Sequence, residues 1–518
     1  MGAFGQVSRL AGATLLAGSM VIGVAQAETL RVGVREFAVG KGNPYSGCIC
    51  TPSVFVWSAV YEQLTLIDET GDVKPFLTTG WQNTAPDTWQ FKLRPNLKFS
   101  NGEALNAEAV VAAYEWMTTS EGKATSQGQQ YGQFVSSIRA VDETTVEIKT
   151  PQPNPILPRN LQSFSIVPKK AWADQGVAGF TQKPIGSGPY VVEFARDRAI
   201  ATPFAGSWKA RKNVDRIEVI ELPEGPARAQ ALVSGQIDLD VALSRDAIDQ
   251  ANASGMKTFT RPATRTLGIT LVSVRKKVAG GPSETTEGPF KDVRVRQAVN
   301  YAVDKDTIVK NIFRGAGRPA SQAATSKTYG YNEAVKPYAH DPDRAKRLLT
   351  EAGFANGFDL EIRAITTDAT IALVYQSAVQ DLNKVGIRTK LISQTFADWQ
   401  RPWIAGDWAW DAFGIGHDLT ATMDALRAFD TFSSCLKGNR QAPYYCNQDE
   451  MKLITAVQGE FDAEKRKKML GELLEMNAKN APILFLVEFD EIMGFNPKIR
   501  NFKHVNLWVP YDELEVGR

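Results

Sequence analysis

Pro289-Phe290-Lys291-Asp292-Val293-Arg294-Val295-Arg296-Gln297-Ala298-Val299-Asn300-Tyr301-Ala302-Val303-Asp304-Lys305 is the stretch that decides the fold. Asp292 stands at the N-cap position, where a short carboxylate accepts a backbone N–H of the first helical turn. After it, Val295, Ala298, Val299, Ala302 and Val303 recur at three- and four-residue spacing, which predicts one helix with an apolar face against a core.

Downstream the same grammar repeats. Asp341 is placed as N-cap with Pro342 at the first helical position, Ala345, Leu348, Leu349 and Ala352 share a face, and Gly353 stops the helix. A longer pattern through Ile371, Val374, Ala378, Leu382 and Val385 ends at Gly386 and is followed at once by the strand-like Ile387-Arg388-Thr389-Lys390-Leu391-Ile392. Helix followed by strand is the unit of an α/β lobe. A late helix carries Met469, Leu470, Leu473 and Leu474.

Upstream, the period changes. Leu30, Val32 and Val34 alternate with polar or small residues, as do Trp89, Phe91 and Leu93, and Val146 and Ile148, the mark of strands with one buried face. Asn106 is placed to cap a helix carrying Val110, Ala113, Tyr114 and Met117. These stripes are core positions, not sites. Breaks are expected at Pro151-Gln152-Pro153-Asn154-Pro155, at Pro184-Ile185-Gly186-Ser187-Gly188-Pro189, and at Gly280-Gly281-Pro282-Ser283-Glu284.

The beginning of the chain has a different purpose. Arg9 precedes a mostly apolar stretch from Leu10 to Val24, and Ala25-Gln26-Ala27 stands before Glu28, a pattern read as a cleavable secretory signal over residues 1–27. Gly12, Gly18 and Gly23 interrupt the stretch, which is short for a membrane span. No cysteine follows the cleavage point, so no lipid anchor is indicated there. No later run of about 18 apolar residues occurs. Secretion to the periplasm is the expectation.

A chain of 518 residues exceeds what one core comfortably holds, and two or three domains are expected. The formal charge of +2 gives no reason to expect nucleic acid or an anionic membrane as partner. Only three histidines (His340, His417, His504) and four cysteines are present, which weighs against a metalloenzyme. Cys435 and Cys446 flank a loop containing Gly438, Asn439 and Pro443 and are read as a loop-closing disulfide. Cys48 and Cys50 leave alternatives open: two free thiols, a bridge to a partner, or a soft-metal pair, since a Cys-x-Cys bridge needs a strained ring. There is neither a Gly-x-Ser-x-Gly elbow nor a His-Glu-x-x-His helix.

Several blocks carry a resemblance in a fixed order. They are Tyr61-Glu62-Gln63-Leu64, Gly71-Asp72-Val73-Lys74-Pro75, Gly80-Trp81, Trp89-Gln90-Phe91-Lys92-Leu93-Arg94, Lys98-Phe99-Ser100-Asn101-Gly102, Pro184 to Tyr190, Leu232-Val233-Ser234-Gly235-Gln236-Ile237-Asp238 and the 289–305 stretch. Together they resemble the extracellular solute-binding proteins of ABC importers for peptides, dipeptides and nickel (family 5). The resemblance implies an α/β fold: a two-lobed periplasmic binding protein with a hinge and an additional subdomain inserted in lobe I. Lobe I would span residues 28–268 plus 491–518, with 74–187 as the inserted subdomain, and lobe II residues 269–490. The chain would cross between lobes near Leu267–Leu271 and Val487–Gly494. Function would be capture of a solute in the cleft, closure of the lobes, and delivery to ABC permease subunits in the inner membrane. No catalysis, cofactor, resident metal or nucleic acid is implied, and the expected state is a monomer.

The resemblance also points at a site. The segment Trp408-Ala409-Trp410-Asp411-Ala412-Phe413-Gly414-Ile415-Gly416-His417-Asp418 matches the family's stretch ending in an aspartate, which in dipeptide binders accepts the ligand's α-ammonium. Asp418 is the matching position. The arginine that clamps the ligand's carboxylate in those proteins is missing here: Ile365-Thr366-Thr367-Asp368 occupies that place, and Arg363 is the nearest. An amine-bearing, peptide-like or opine-like solute is therefore expected more than a plain dipeptide. Trp399, Trp403, Trp408 and Trp410 offer aromatic faces, and Tyr45 lies on the N-terminal loop that approaches the pocket in the family. His417 beside Asp418 underlies the rival reading, a receptor for a metal chelate of the nickel type. A periplasmic hydrolase is the rival from another class, excluded by binding without turnover; a receptor serving a sensor differs from an importer by uptake.

Overall fold

The computed structural model describes residues 1–2, 28–38, 40–47, 51–262, 265–276, 283–366, 369–395, 398–399, 402, 410–419, 422–432, 435 and 444–517. Two mixed sheets dominate. In spatial order the first contains Lys257–Arg261, Glu491–Phe495, Leu239–Asp240, Glu28–Val34, Val214–Glu221, Arg198–Pro203 and Tyr190–Phe194. Glu28–Val34 is its central parallel strand, pairing with Val214–Glu221 on one side and Leu239–Asp240 on the other. The second sheet runs Gly317–Pro319, Ile483–Phe489, Arg265–Leu271, Ala412–Asp418, Phe358–Ile365 and Ile387–Gln394. Its last three strands are parallel to one another.

A four-stranded antiparallel sheet, Thr78–Ala85, Thr88–Leu93, Thr145–Lys149 and Ser137–Ala140, is built within the segment expected as an insertion. Its buried Trp89, Phe91, Val146 and Ile148 join one apolar core with Leu30, Val32 and Val34 of the first sheet, so the insertion is fused to lobe I. Lobe II has cores on both faces of its sheet. One is formed around Val295, Ala298, Val299, Val374 and Leu382, the other around Leu426, Ile454, Leu470 and Leu473. That is the three-layer arrangement of an α/β lobe.

The chain passes between the two sheets twice. The first passage lies between Arg261, which pairs with Glu491 in the first sheet, and Arg265, which pairs with Asp418 in the second. It thus precedes the expected crossing near Leu267–Leu271, because Arg265–Leu271 is committed to the second sheet, with Thr266–Thr270 paired on both sides. The return lies between Phe489 and Glu491.

The deciding stretch forms a helix, Val293–Ala302, in which Asp292 accepts a bond from the Arg294 N–H, and Val295, Ala298, Val299 and Ala302 are buried. The structure departs from the single expected helix at Val303, which turns extended at φ −98° and ψ 126°. Asp304 then caps a second helix, Lys305–Ile312, accepting from the backbone N–H and the hydroxyl of Thr307. A carboxylate able to cap the next turn competes with helix continuation. Lys305 is buried, and desolvation of its ammonium lowers its pKa to about 7.

Asp341 caps Pro342–Glu351 through the Arg344 N–H. The helix Ala369–Lys384 leads into Ile387–Gln394 through Gly386, whose φ of +94° favours glycine. Cys435 and Cys446 are joined, with Cα atoms 5.1 Å apart. Among the described residues no helix is long and apolar enough to cross a membrane. The expected signal at 1–27 and the Cys48/Cys50 pair lie outside the described residues, apart from the first two positions.

Candidate functional site

Topology places the cleft. In the first sheet the parallel strands end at Val34, Glu221 and Asp240; in the second they end at Ile365, Gln394 and Asp418. Both interlobe passages lie at these same edges, since Arg261 pairs with Glu491 and Arg265 with Asp418. The carboxyl ends of both sheets therefore adjoin the hinge, and the loops leaving them are where ligands bind in open α/β sheets.

Asp418 is the last residue of the strand Ala412–Asp418, with Arg265 as its cross-strand partner; His417 is paired with Thr266. The stem of Arg265 lies across Gly416, where any Cβ would come within 2.9 Å of Arg265 Cδ. Glycine at 416 lets the arginine lie flat on the strand. Thr266 is fully buried, and Glu488 faces it from the other neighbouring strand. Burial raises the Glu488 carboxyl to about 7, against the pull of Arg318, whose Nε lies 3.0 Å away. Arg265 and Glu488 were not singled out from sequence; only the strand register sets Arg265 opposite Asp418 and Glu488 opposite Thr266 on the far side of the Arg265–Leu271 strand.

The aromatic candidates divide. Trp410 is buried in a cluster with Trp399, Phe413 and Tyr444, the Trp399 and Trp410 rings 6.0 Å apart and the Phe413 and Tyr444 rings 4.5 Å apart. The backbone carbonyl of Tyr444, two residues before Cys446, accepts from the N–H groups of Ser273 and Val274, which ties the disulfide-bonded segment to the sheet edge. Tyr45 is fully buried in lobe I, stacked on Trp116 at 4.7 Å and edge-on to Trp172 at 5.0 Å, and desolvation drives its hydroxyl far above the usual range. Its loop is held by Gln127 Nε2 on the Pro44 carbonyl and Trp57 Nε1 on the Lys41 carbonyl. Both residues are packed among other aromatic rings. Trp403 and Trp408 lie outside the described residues, as do Thr367 and Asp368. Arg363 is held by Glu361, with Nε to Oε1 at 2.9 Å, and lies 5.9 Å from the Trp410 ring.

Among the described residues, side chains bridge the lobes in two places. Beside the passages, Arg245 donates to the Asp490 carbonyl at 2.9 Å and lies over the rings of Phe313 and Phe489, while Arg314 reaches Asp246 at 2.9 Å. Farther along, Arg159 of lobe I donates to the Thr422 carbonyl of lobe II at 3.0 Å and to the Gly71 carbonyl of its own lobe at 2.9 Å. The Trp89 ring stacks on Phe461 of lobe II, 6.3 Å away.

Comparison with known proteins agrees with this architecture. Heme-binding protein A of Haemophilus influenzae is 25% identical over 464 residues, covering 83% of this chain and 82% of that protein. The dipeptide-binding protein of Escherichia coli is 25% identical over 448 residues, covering 80% and 81%. Among solved structures, the ABC transporter-associated periplasmic binding protein DppA from Helicobacter pylori, in complex with peptide STSA, has the same fold, with a TM-score of 0.79 at 19% identity over 95% of this chain and 98% of that one. The model of the middle region of the bacterial extracellular solute-binding proteins, family 5, matches residues 72–438. A two-lobed α/β receptor with its sheet edges meeting at a double passage, this chain belongs to the bacterial extracellular solute-binding proteins, family 5.

Proposed function

We propose that this protein is the periplasmic receptor of an ABC importer, that it encloses a small amine-bearing or peptide-like solute between its lobes, and that Asp418 anchors the solute's ammonium. The observation that carries the reading is the position of Asp418: it ends a lobe II strand at the carboxyl edge, directly opposite Arg265, the first residue after the passage between lobes. A carboxylate in a closed cleft is a strong partner for an ammonium group, because a charge-assisted bond there contributes roughly 1.5–3 kcal/mol. Support for a solute other than a plain dipeptide comes from Arg363, which is occupied by Glu361 and Trp410. The solutes named for the relatives, heme and dipeptide, show how widely one scaffold serves different ligands.

A thermal-shift screen tests the reading, using dipeptides, oligopeptides, opines, polyamines, sugars and nickel chelates. A ligand at a hundredfold excess over its Kd should stabilise the protein by roughly 2.7 kcal/mol. An amine-bearing compound is expected to raise the Tm of the wild type and not of Asp418→Ala. A shift given only by sugars or metal chelates, or an unchanged response of the variant, would overturn the ammonium anchor.

A further inference from the structure

Arg159 lies on the short helix Leu157–Asn160, whose Leu157 is packed in the lobe I core. From there its guanidinium holds one carbonyl in each lobe, Gly71 at 2.9 Å and Thr422 at 3.0 Å, and lies 5.7 Å from the ring of Tyr329 in lobe II. Arg466 also lies near that ring, 5.5 Å away, and is itself bound to Asp424 at 2.6 Å in a buried pair. The receiving surface in lobe II is thus braced by a buried ion pair. The N–H groups of Thr422 and Met423 bond the Leu419 carbonyl, and Leu419 directly follows Asp418, so the carbonyl that Arg159 grasps belongs to the turn leaving the candidate anchor strand. Phe461 of lobe II, 41% exposed, stacks on Trp89 of lobe I.

We infer that Arg159 is a latch for lobe closure, which clamps the turn following Asp418 against lobe I, and that the Trp89–Phe461 stack assists it. No covalent connection forces this contact, unlike the double passage. Separation of the lobes must break the Arg159–Thr422 bond and part the two rings, whereas the bond to Gly71 can persist. The latch therefore shifts the balance toward the closed, binding-competent form, and a binding protein whose competent form is rarer has a proportionally weaker apparent affinity. A charge-assisted bond of this kind corresponds to about a tenfold change in that balance.

The inference rests on the reading that the lobes close around a solute, yet it fails separately from the identity of the anchor, because its readout needs no ligand. Small-angle scattering of the purified ligand-free protein is compared for wild type, Arg159→Ala, Arg159→Lys and Phe461→Ala, with circular dichroism melting as the folding control. The radius of gyration should increase in Arg159→Ala, and by less in Arg159→Lys, which keeps the charge but lacks the guanidinium fork whose two nitrogens reach the two carbonyls. Phe461→Ala, a change at an exposed ring, should shift it the same way and supplies the decision if Arg159→Ala melts early. Scattering from folded Arg159→Ala and Phe461→Ala that superimposes on wild type would overturn the latch.

Discussion

The two places where the lobes meet are built from different materials. Beside the passages, contact is made by charged side chains, Arg245 over aromatic rings and the exposed pair of Arg314 with Asp246, with further charged groups of each lobe buried next to them. Across the lobes Arg245 is set over two phenylalanines; next to it, within lobe I, Arg261 is buried and pairs with Glu491 at 3.3 Å and with the His504 ring at 3.4 Å, and within lobe II Glu488 is sealed next to Phe489. Burial, reinforced by Arg261, pushes the His504 imidazole well below its usual range, so it remains neutral. At the Arg159 contact the acceptors across the gap are a backbone carbonyl and a ring face. Parting the first junction draws Arg245 off two phenylalanine rings at the point where the chain itself continues between the lobes, while parting the second breaks one bond to a backbone carbonyl and two ring contacts. One is suited to a hinge that keeps its shape, the other to a contact made and broken at each cycle.

The largest effect should come from the brace under the second junction. Arg466→Ala leaves Asp424 buried without its cation and is expected to cost about 3–5 kcal/mol in a urea melt. If it cost under about 1 kcal/mol, the idea of a rigid receiving surface would be lost.

At the hinge, Glu488 gives a pH test. Its folded pKa of about 7 exceeds the ordinary glutamate value, so between about 4.3 and 7 the folded state holds more protons than the unfolded state and stability falls as pH rises. Glu488→Gln should therefore raise the Tm at pH 8, by an amount corresponding to about 3 kcal/mol or less, and leave it nearly unchanged at pH 4. A variant less stable at pH 8 would mean that the ion pair with Arg318 outweighs desolvation.

Arg245→Ala removes a bond to the Asp490 carbonyl and the stacking on Phe313, with an expected loss of about 2 kcal/mol and a broadened or divided melting transition as the lobes decouple. Calorimetry would show it. The exposed pair of Arg314 with Asp246 marks the low end: Arg314→Ala should alter stability by about 0.5 kcal/mol or less, and by less still in high salt.

Legibility in the sequence follows the range of the interactions. Asp292, Asn106 and Asp341 cap their helices as read, because a cap and its N–H donors lie within three residues of each other. The break at Val303 was missed since valine suits the apolar stripe, and only the competing cap at Asp304 reveals it. An aromatic residue reads alike in a core and in a cleft, so the packing of Tyr45 on Trp116 and Trp172 and of Trp410 on Phe413 was not legible in the sequence. Arg265, Glu488 and Arg159 carried no local signal. Asp418 lies over a hundred residues from Arg265 and joins it through strand register, while Arg159 meets Thr422 across a sequence separation of 263.

The central claim, a receptor that holds an amine-bearing solute and returns it unaltered, is tested most directly by native mass spectrometry of the protein incubated with the strongest compound from the thermal-shift screen. One molecule of that compound should be bound per chain, released with unchanged mass on denaturation, and absent from Asp418→Ala. Conversion of the compound into product over many turnovers, or equal occupancy of the variant, would contradict the account.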